Sequence, residues 1–330
     1  MTFKKISVLG DGGWGTTLAI LLHKKGYPVL LWSAFEAYAK VLDKTRRNPN
    51  FLKGVNIPDD IRITSDISEA LDTSLLVVAT PSEYLRGVLN RSVRYYDQGV
   101  PVLSVVKGIE DSTLCRMSEV ISDVLRPRSV AVLSGPTIAY EVASGVPTTA
   151  VVSSKNSSFM LSLQELFTTT NFRVYTNRDI VGVELGGSLK NVIAIACGIS
   201  DGLGFGTNTK AAIVSRGLAE MGRLGVSLGA DSETFAGISG LGDLVTTCFN
   251  SLSRNHYVGE KIGRGLSLKE TVSHMKMVAE GVPTAKAAYK LAKKQKVETP
   301  IINEIHSVLF KNKSPLAAVK HLMMREMKPE

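Results

Sequence analysis

Lys190 occupies a place where a side chain could do chemistry. It lies in the run Gly182-Val183-Glu184-Leu185-Gly186-Gly187-Ser188-Leu189-Lys190-Asn191-Val192-Ile193-Ala194. Apolar residues at Ile180, Val181, Leu185, Leu189, Val192, Ile193 and Ala196 predict a helix there. At helical spacing, positions 186, 187 and 194 share a face with Lys190, and they are Gly, Gly and Ala. Two interior glycines each cost roughly 1 kcal/mol against alanine, so they need a reason. One reading is that the missing side chains leave room beside the ammonium for something other than protein. The other is close helix packing, with Lys190 snorkelling to solvent.

A second constellation stands near residue 10. The run 4–9 reads as a short buried strand, and Gly10-Asp11-Gly12-Gly13-Trp14-Gly15 follows at once. A helical pattern comes next, with Trp14, Leu18 and Leu21 or Leu22 on one face. This is G-x-G-x-x-G in the context it requires, strand before and helix after. Gly10 permits a tight turn, Gly12 lets backbone approach a pyrophosphate, and Gly15 lets the helix pack on the strand. N–H groups at the helix N-terminus then face the diphosphate. The second strand, Tyr27 to Trp32, strengthens the reading as a dinucleotide site. Its ribose end carries Trp32-Ser33-Ala34-Phe35-Glu36, with no acid ending the strand and no basic residue directly after it. Glu36 reads as a solvated first-turn helix residue, so NAD and NADP both remain open.

Three further strand ends carry unusual residues: Ala79-Thr80-Pro81-Ser82, Val106-Lys107-Gly108 and Ser134-Gly135-Pro136-Thr137. In open α/β sheets, ligands bind beyond the carboxyl ends of strands. Thr80, Pro81 and Pro136 fit ordinary turn chemistry. Lys107, with a glycine beside it at the cofactor edge, fits a site role. Downstream, Ile238-Ser239-Gly240-Leu241-Gly242-Asp243-Leu244 reads as a glycine-rich turn presenting one carboxylate. Asp243 there could equally be a helix N-cap or Asx-turn residue. In Ser253-Arg254-Asn255-His256 the arginine offers a planar fork suited to phosphate. Taken alone, Arg254 reads as a surface ion pair.

The elements that must hold these residues alternate through the first half. Apolar β-rich runs recur at 74–79, 101–106, 129–133, 148–153 and 171–175, separated by helical patterns at 82–94, 113–125 and 156–167. That alternation predicts an α/β, doubly wound Rossmann-type sheet. After about residue 180 only helices are expected, at 180–198, 208–224, 255–263, 268–276, 284–294, 301–310 and 315–324. The expected division is a dinucleotide-binding domain over 1–180 and an all-helical substrate and catalytic domain over 181–330, with the boundary near 178–190.

The chain has 330 residues, 44% of them hydrophobic, enough for two cores. Cys115, Cys197 and Cys248 form no C-x-x-C pair or metal-ligand spacing, and no histidine pairs with carboxylates at ligand spacing. No metal site is expected, and a reduced cytoplasmic setting fits. No apolar run approaches the roughly 18–20 residues of a membrane span, so stable membrane insertion is not expected. The net charge of +9 favours phosphate-bearing small ligands. Lysines cluster at 293, 294, 296, 311 and 313 without a base-stacking aromatic pattern, which speaks against a nucleic-acid partner.

Five motifs in order, Gly10–Gly15, Ser134–Thr137, Glu184–Asn191, Gly240–Leu244 and Ser253–Asn255, make the chain resemble the NAD(P)-dependent sn-glycerol-3-phosphate dehydrogenases of the bacterial soluble type. The resemblance runs from residue 4 to about 310. It implies interconversion of dihydroxyacetone phosphate and sn-glycerol 3-phosphate with NAD or NADP, supplying glycerophospholipid synthesis, and a homodimer. It implies that Lys190 is the catalytic lysine, oriented by Asp243, with Lys107 touching cofactor and substrate. It places Gly135, Thr137, Asp243, Ser253, Arg254 and Asn255 around the substrate, and Gly13, Trp14, Ala139, Arg254, Val278 and Glu280 along the cofactor. Proton abstraction near neutrality would require Lys190 to titrate below the usual lysine value near 10.4. Two positions depart from the family. Ala34 stands where Arg or His is frequent, against the usual NADP preference, and Tyr140 replaces a frequent lysine. Ketopantoate-type and 3-hydroxyacid reductases, and a cofactor-sensing module without chemistry, are the competing classes.

Overall fold

The computed structural model describes residues 3–273, 275 and 277–327. It divides into two compact units, Met1–Lys107 with Cys115–Glu184, and Gly108–Leu114 with Leu185–Glu330. The first unit carries ten strands: β1 (Ile6–Leu9), β2 (Val29–Trp32), β3 (Arg47–Asn48), β4 (Leu52–Asn56), β5 (Arg62–Thr64), β6 (Leu75–Val78), β7 (Val102–Ser104), β8 (Val130–Ser134), β9 (Thr148–Ser154) and β10 (Phe172–Asn177). β3 and β4 form a separate hairpin; the other eight make one sheet in the order β10-β9-β8-β7-β6-β1-β2-β5. Its helices are α1 (Gly13–Lys24), α2 (Glu36–Thr45), α3 (Ile67–Leu71), α4 (Leu85–Ser92), α5 (Met117–Leu125), α6 (Ala139–Ala143) and α7 (Ser157–Phe167).

β1 (Ile-Ser-Val-Leu) and β6 (Leu-Leu-Val-Val) are buried at every position, as strands covered on both faces must be. Alternate side chains feed two cores. Ile6, Val8, Leu31 and Val77 pack with Leu18 and Leu22 of α1 and Phe159 of α7. Leu9, Leu30, Leu76 and Val78 pack with Leu85 and Leu89 of α4 and Val120 of α5. β1 pairs in parallel with both β2 and β6, so the chain reverses its direction of travel across the sheet beside β1. That switch point is where such sheets open a crevice.

The doubly wound sheet agrees with the alternation read from sequence, with one difference. β9 runs antiparallel to β8, and β10 follows β9. The link from β8 to β9 holds only the five-residue α6, and the chain returns beside β8 in the opposite direction. β7 also ends at Ser104, earlier than expected, which leaves Lys107 in the loop beyond the strand.

The second unit is helical. α8 (Ile180–Gly202) enters it from Leu185, followed by α9 (Thr207–Val226), α10 (Ser232–Ala236), α11 (Asp243–Phe249), α12 (Arg254–Gly263), α13 (Leu268–Ser273), α14 (Gly281–Gln295), α15 (Pro300–Phe310) and α16 (Pro315–Met323). Positions 274 and 276 of the helix expected over 268–276 lie outside the described residues. The segment 238–244, expected as a turn, is instead a π-helical turn (Ile238–Gly242) running straight into α11. One more expectation is corrected. α8 is 23 residues long and apolar enough in composition to cross a membrane, but 94% of its apolar window is buried. Its hydrophobicity serves a protein core.

α8 and α12 meet backbone to backbone. A Cβ at Gly198 would lie 2.0 Å from the His256 carbonyl oxygen, and one at Gly202 2.3 Å from that of Glu260. From the other side, a Cβ at Gly259 would lie 2.1 Å from the Ile195 oxygen, and one at Gly263 2.5 Å from that of Ile199. Each helix thus presents two glycines one turn apart, and nothing larger fits. Gly259→Ala is expected to force the helices apart and lower unfolding stability by about 2 kcal/mol, despite alanine's better helix propensity. A urea unfolding midpoint equal to the wild type would refute this.

Candidate active site

In the first unit the glycine-rich turn sits at the switch point. Gly10 has φ 124°, a left-handed conformation natural to glycine, and a Cβ there would come 2.7 Å from the Ala79 oxygen at the end of β6. Gly10 N–H donates to the Trp32 oxygen at the end of β2 (3.1 Å). A Cβ at Gly15 would lie 1.9 Å from the Gly10 oxygen, so α1 is clamped onto the turn. Where Gly12 would carry a side chain there is open space. The first turn of α1 has no side-chain cap and no acidic residue. Uncapped N–H groups beside open space suit a diphosphate, so these residues fit the dinucleotide that the motif implies. Ala139 lies against the same turn: its oxygen accepts from Thr17 Oγ1 (3.0 Å), and its Cβ is 3.6 Å from where a Gly13 Cβ would sit. Trp14 packs on Phe172 at 6.2 Å between ring centroids.

Asp11, inside the turn, is braced from several sides. Ser33 Oγ donates to its carboxylate (2.6 Å), and Asn48 Nδ2 donates to its backbone oxygen (2.7 Å). Burial raises the Asp11 carboxyl above its ordinary value, and the Ser33 hydrogen bond offsets part of this. Glu36 is exposed in the first turn of α2 and pairs with Lys40 (2.7 Å), which agrees with the solvated reading. Ala34 is exposed.

Lys107, Gly135 and Thr137 come together in the same unit. Lys107 Nζ donates to the Gly135 oxygen (2.9 Å), and Thr137 Oγ1 donates to that oxygen at 3.2 Å. Gly135 has φ 141°, a conformation that favours glycine.

In the second unit, Lys190 and Asp243 form a buried ion pair. Lys190 is 6% exposed and Asp243 1%, and Nζ to Oδ1 is 2.6 Å. Lys190 also donates to Thr247 Oγ1, whose own proton goes to the Asp243 backbone oxygen (2.7 Å). Gly186 serves close packing, since a Cβ there would lie 2.7 Å from the Ser239 oxygen. Lys190, however, does not snorkel; it turns inward to Asp243. Asp243 is the first residue of α11 and not its N-cap, which is Gly242.

α12 supplies the next group. Ser253 is its N-cap, accepting from the His256 N–H (3.3 Å). Arg254 donates from Nη1 to the Val278 oxygen (2.7 Å); the protein packed around its guanidinium lowers it from the ordinary arginine value, and the nearby Glu280 carboxylate offsets part of this. So Arg254, Val278 and Glu280, singled out separately in the sequence, lie together. Asn255 is buried. Its Nδ2 donates to Asn191 Oδ1 (2.8 Å), and its Oδ1 accepts from the Gly281 N–H (2.8 Å).

Two residues at this centre were assigned no role from sequence: Thr247 and Asn191. Thr247 stands four residues after Asp243, on the same helical face, but reading 238–244 as a turn hid that spacing. Asn191 was visible beside Lys190; only the partner Asn255, 64 residues away, gives it a function.

The chain matches known proteins along nearly its whole length. Residues 5–160 match the family model described as NAD-dependent glycerol-3-phosphate dehydrogenase N-terminus, and residues 179–320 match its C-terminus. The chain is 51% identical over 332 residues to the glycerol-3-phosphate dehydrogenase [NAD(P)+] of Chlorobium phaeobacteroides (strain BS1), covering 99% of each. It is 47% identical to that of Geobacter sp. (strain M21), again over 99% of each. The crystal structure of glycerol-3-phosphate dehydrogenase from Coxiella burnetii superposes with a TM-score of 0.95 at 36% identity, over 98% of this chain and 99% of that one.

Asp243→Asn would leave the Lys190 ammonium buried without its counter-charge. Denaturant unfolding is expected to show a loss of about 3 kcal/mol. The double variant Lys190→Met, Asp243→Leu should recover most of it. Losses that simply add would mean the two groups are not coupled.

Proposed function

This chain belongs to the NAD-dependent glycerol-3-phosphate dehydrogenase family, and we propose that it interconverts dihydroxyacetone phosphate and sn-glycerol 3-phosphate, with Lys190 handling the proton. The chain is an oxidoreductase acting on a CH–OH group; NAD or NADP, when bound, would supply or accept the hydride at C2 of the substrate. The observation that carries the residue assignment is the buried Lys190–Asp243–Thr247 cluster in the helical unit. Such a cluster costs stability and has no evident structural purpose.

In reduction, negative charge grows on the C2 oxygen. The Lys190 ammonium stabilises that oxygen and gives it a proton; in oxidation the neutral amine takes the hydroxyl proton. Asp243 and Thr247 hold Nζ in one direction. Arg254 offers its guanidinium to the substrate phosphate, and Ser253 fixes the backbone from which it projects. Asn255 spends one Nδ2 hydrogen on Asn191 and has a second for the phosphate. Lys107, with Gly135 and Thr137, contacts substrate and cofactor. Gly10, Gly12, Gly13, Trp14 and Gly15 hold the dinucleotide, with Ala34, Ala139, Val278 and Glu280 along its length. Residues 1–180 thus carry most of the dinucleotide contacts, and 181–330 carry the groups that hold the substrate phosphate and move its proton. The three free thiols fit a cytoplasmic enzyme, and family membership supports a homodimer, which light scattering would test against a monomer mass.

Absorbance of the reduced nicotinamide should fall when dihydroxyacetone phosphate is added with NADH or NADPH. No loss with either would refute the reading. Lys190→Ala should keep dinucleotide affinity and cut kcat by about a thousandfold. Arg254→Ala should raise KM for dihydroxyacetone phosphate by about ten- to a hundredfold. An unchanged KM would return Arg254 to the surface.

A further inference from the structure

The second strand of a dinucleotide fold commonly ends in an acid that hydrogen-bonds the ribose 2′-hydroxyl. Here β2 ends in Trp32 and is followed by Ser33 and Ala34. A carboxylate is nonetheless present at that strand end, and it comes from the glycine-rich turn. Leu9 of β1 is paired in register with Trp32 of β2, so the residues just past each strand lie side by side. Gly10 N–H donates to the Trp32 oxygen, and the next residue on the turn, Asp11, lies beside Ser33. Ser33 Oγ donates to Asp11 Oδ2 at 2.6 Å. Ser33 is itself fully buried and fixed by its N–H to the Thr64 oxygen (2.9 Å).

We propose that Asp11, held by Ser33, reads the 2′-hydroxyl of the adenosine ribose and makes this chain select NAD(H) over NADP(H). This rests on the dehydrogenase reading of the same site. A carboxylate has about four acceptor positions and no donor when ionised. Its side-chain partner is the Ser33 hydroxyl, and no Lys or Arg among the described residues forms an ion pair with it. A ribose diol brings the further O–H donors that a half-buried carboxylate lacks. A 2′-phosphate would instead bring a second negative charge against the first. Cations on the neighbouring elements have partners of their own. Lys40 pairs with Glu36 (2.7 Å), and Arg46 pairs with Asp43 (2.8 Å) and donates to the Ile61 oxygen (2.8 Å). Burial raises the Asp11 carboxyl, which is the cost that new hydrogen bonds from a ligand would relieve.

Two measurements test this on the full chain. Binding of NAD and NADP without substrate is followed by calorimetry, and turnover of dihydroxyacetone phosphate is followed with NADH and NADPH. The wild type is expected to favour the 2′-hydroxyl cofactors by about a hundredfold in both. Asp11→Asn keeps the shape and removes the charge. It should cut that ratio by about tenfold or more, weakening NAD and strengthening NADP. Ser33→Ala, which frees the carboxylate without removing it, should fall between. Circular dichroism and the unfolding temperature establish that each variant is folded. A wild type indifferent to the 2′-phosphate, or an Asp11→Asn ratio equal to that of the wild type, overturns the proposal while leaving the dehydrogenase reading intact. Absence of binding and turnover with both cofactors would overturn the dehydrogenase reading, and this proposal with it.

Discussion

An ammonium group shut away from water costs several kcal/mol unless a counter-charge meets it, and the helical unit is organised around meeting that cost at Lys190. Asp243 sits 2.6 Å away because the π-helical turn before α11 widens the backbone by one residue and sets the carboxylate at the start of the next helix. The same turn brings the Ser239 carbonyl so close to α8 that position 186 tolerates only glycine. Thr247, one turn further along α11, adds a second acceptor for Nζ and passes its own proton back to the helix. Pair, turn and glycine are one solution: α11 can reach Lys190 only if α8 has no side chain in the way.

The glycine pairs between α8 and α12 extend that solution. Gly198 and Gly202 against Gly259 and Gly263 remove the side-chain layer that usually separates two helices. This places Asn191 within 2.8 Å of Asn255, and Asn255 in turn accepts from the N-terminal N–H of α14. Gly281 is constrained likewise, since a Cβ there would meet the Asn191 oxygen at 2.6 Å. Arg254 therefore projects from a helix whose position is fixed against α8 by hard contacts. A group meant to bind a phosphate in one orientation benefits from such a base, because lost side-chain freedom is then the main entropy left to spend.

How much of this was legible depends on how local the signal was. β1, the turn at Gly10–Gly15 and α1 follow each other in sequence, so the motif and its context could be read together. The C-terminal helices announced themselves by apolar period, and Lys190 by its small neighbours. What stayed hidden were pairings across the chain. Nothing near Lys190 says that Asp243 is 53 residues away and buried, or that Thr247 joins it. The segment 238–244 reads as a turn because two glycines in seven residues outweigh any helical pattern. Here those glycines instead permit close backbone contact, as at Gly240, where a Cβ would lie 2.1 Å from the Phe235 oxygen. The reversal of β9 was equally invisible, since strand composition carries no direction. Even the lysines at 293 and 311, which look scattered in sequence, converge on one ring: both lie over Tyr289, which stacks on His306 at 3.9 Å.

The cofactor end shows the same lesson in reverse, where a rule of spacing misleads. An acid is sought about twenty residues after the glycine-rich turn because β2 normally delivers it. The physical requirement concerns a place and not a sequence position: an acceptor beyond the carboxyl end of β2. With β1 and β2 paired Leu9 to Trp32, the turn residue Asp11 occupies that place as readily as the residue after Trp32. Ser33, small and a donor, is the partner such an arrangement needs; a larger or acidic residue there would displace or repel the Asp11 carboxylate.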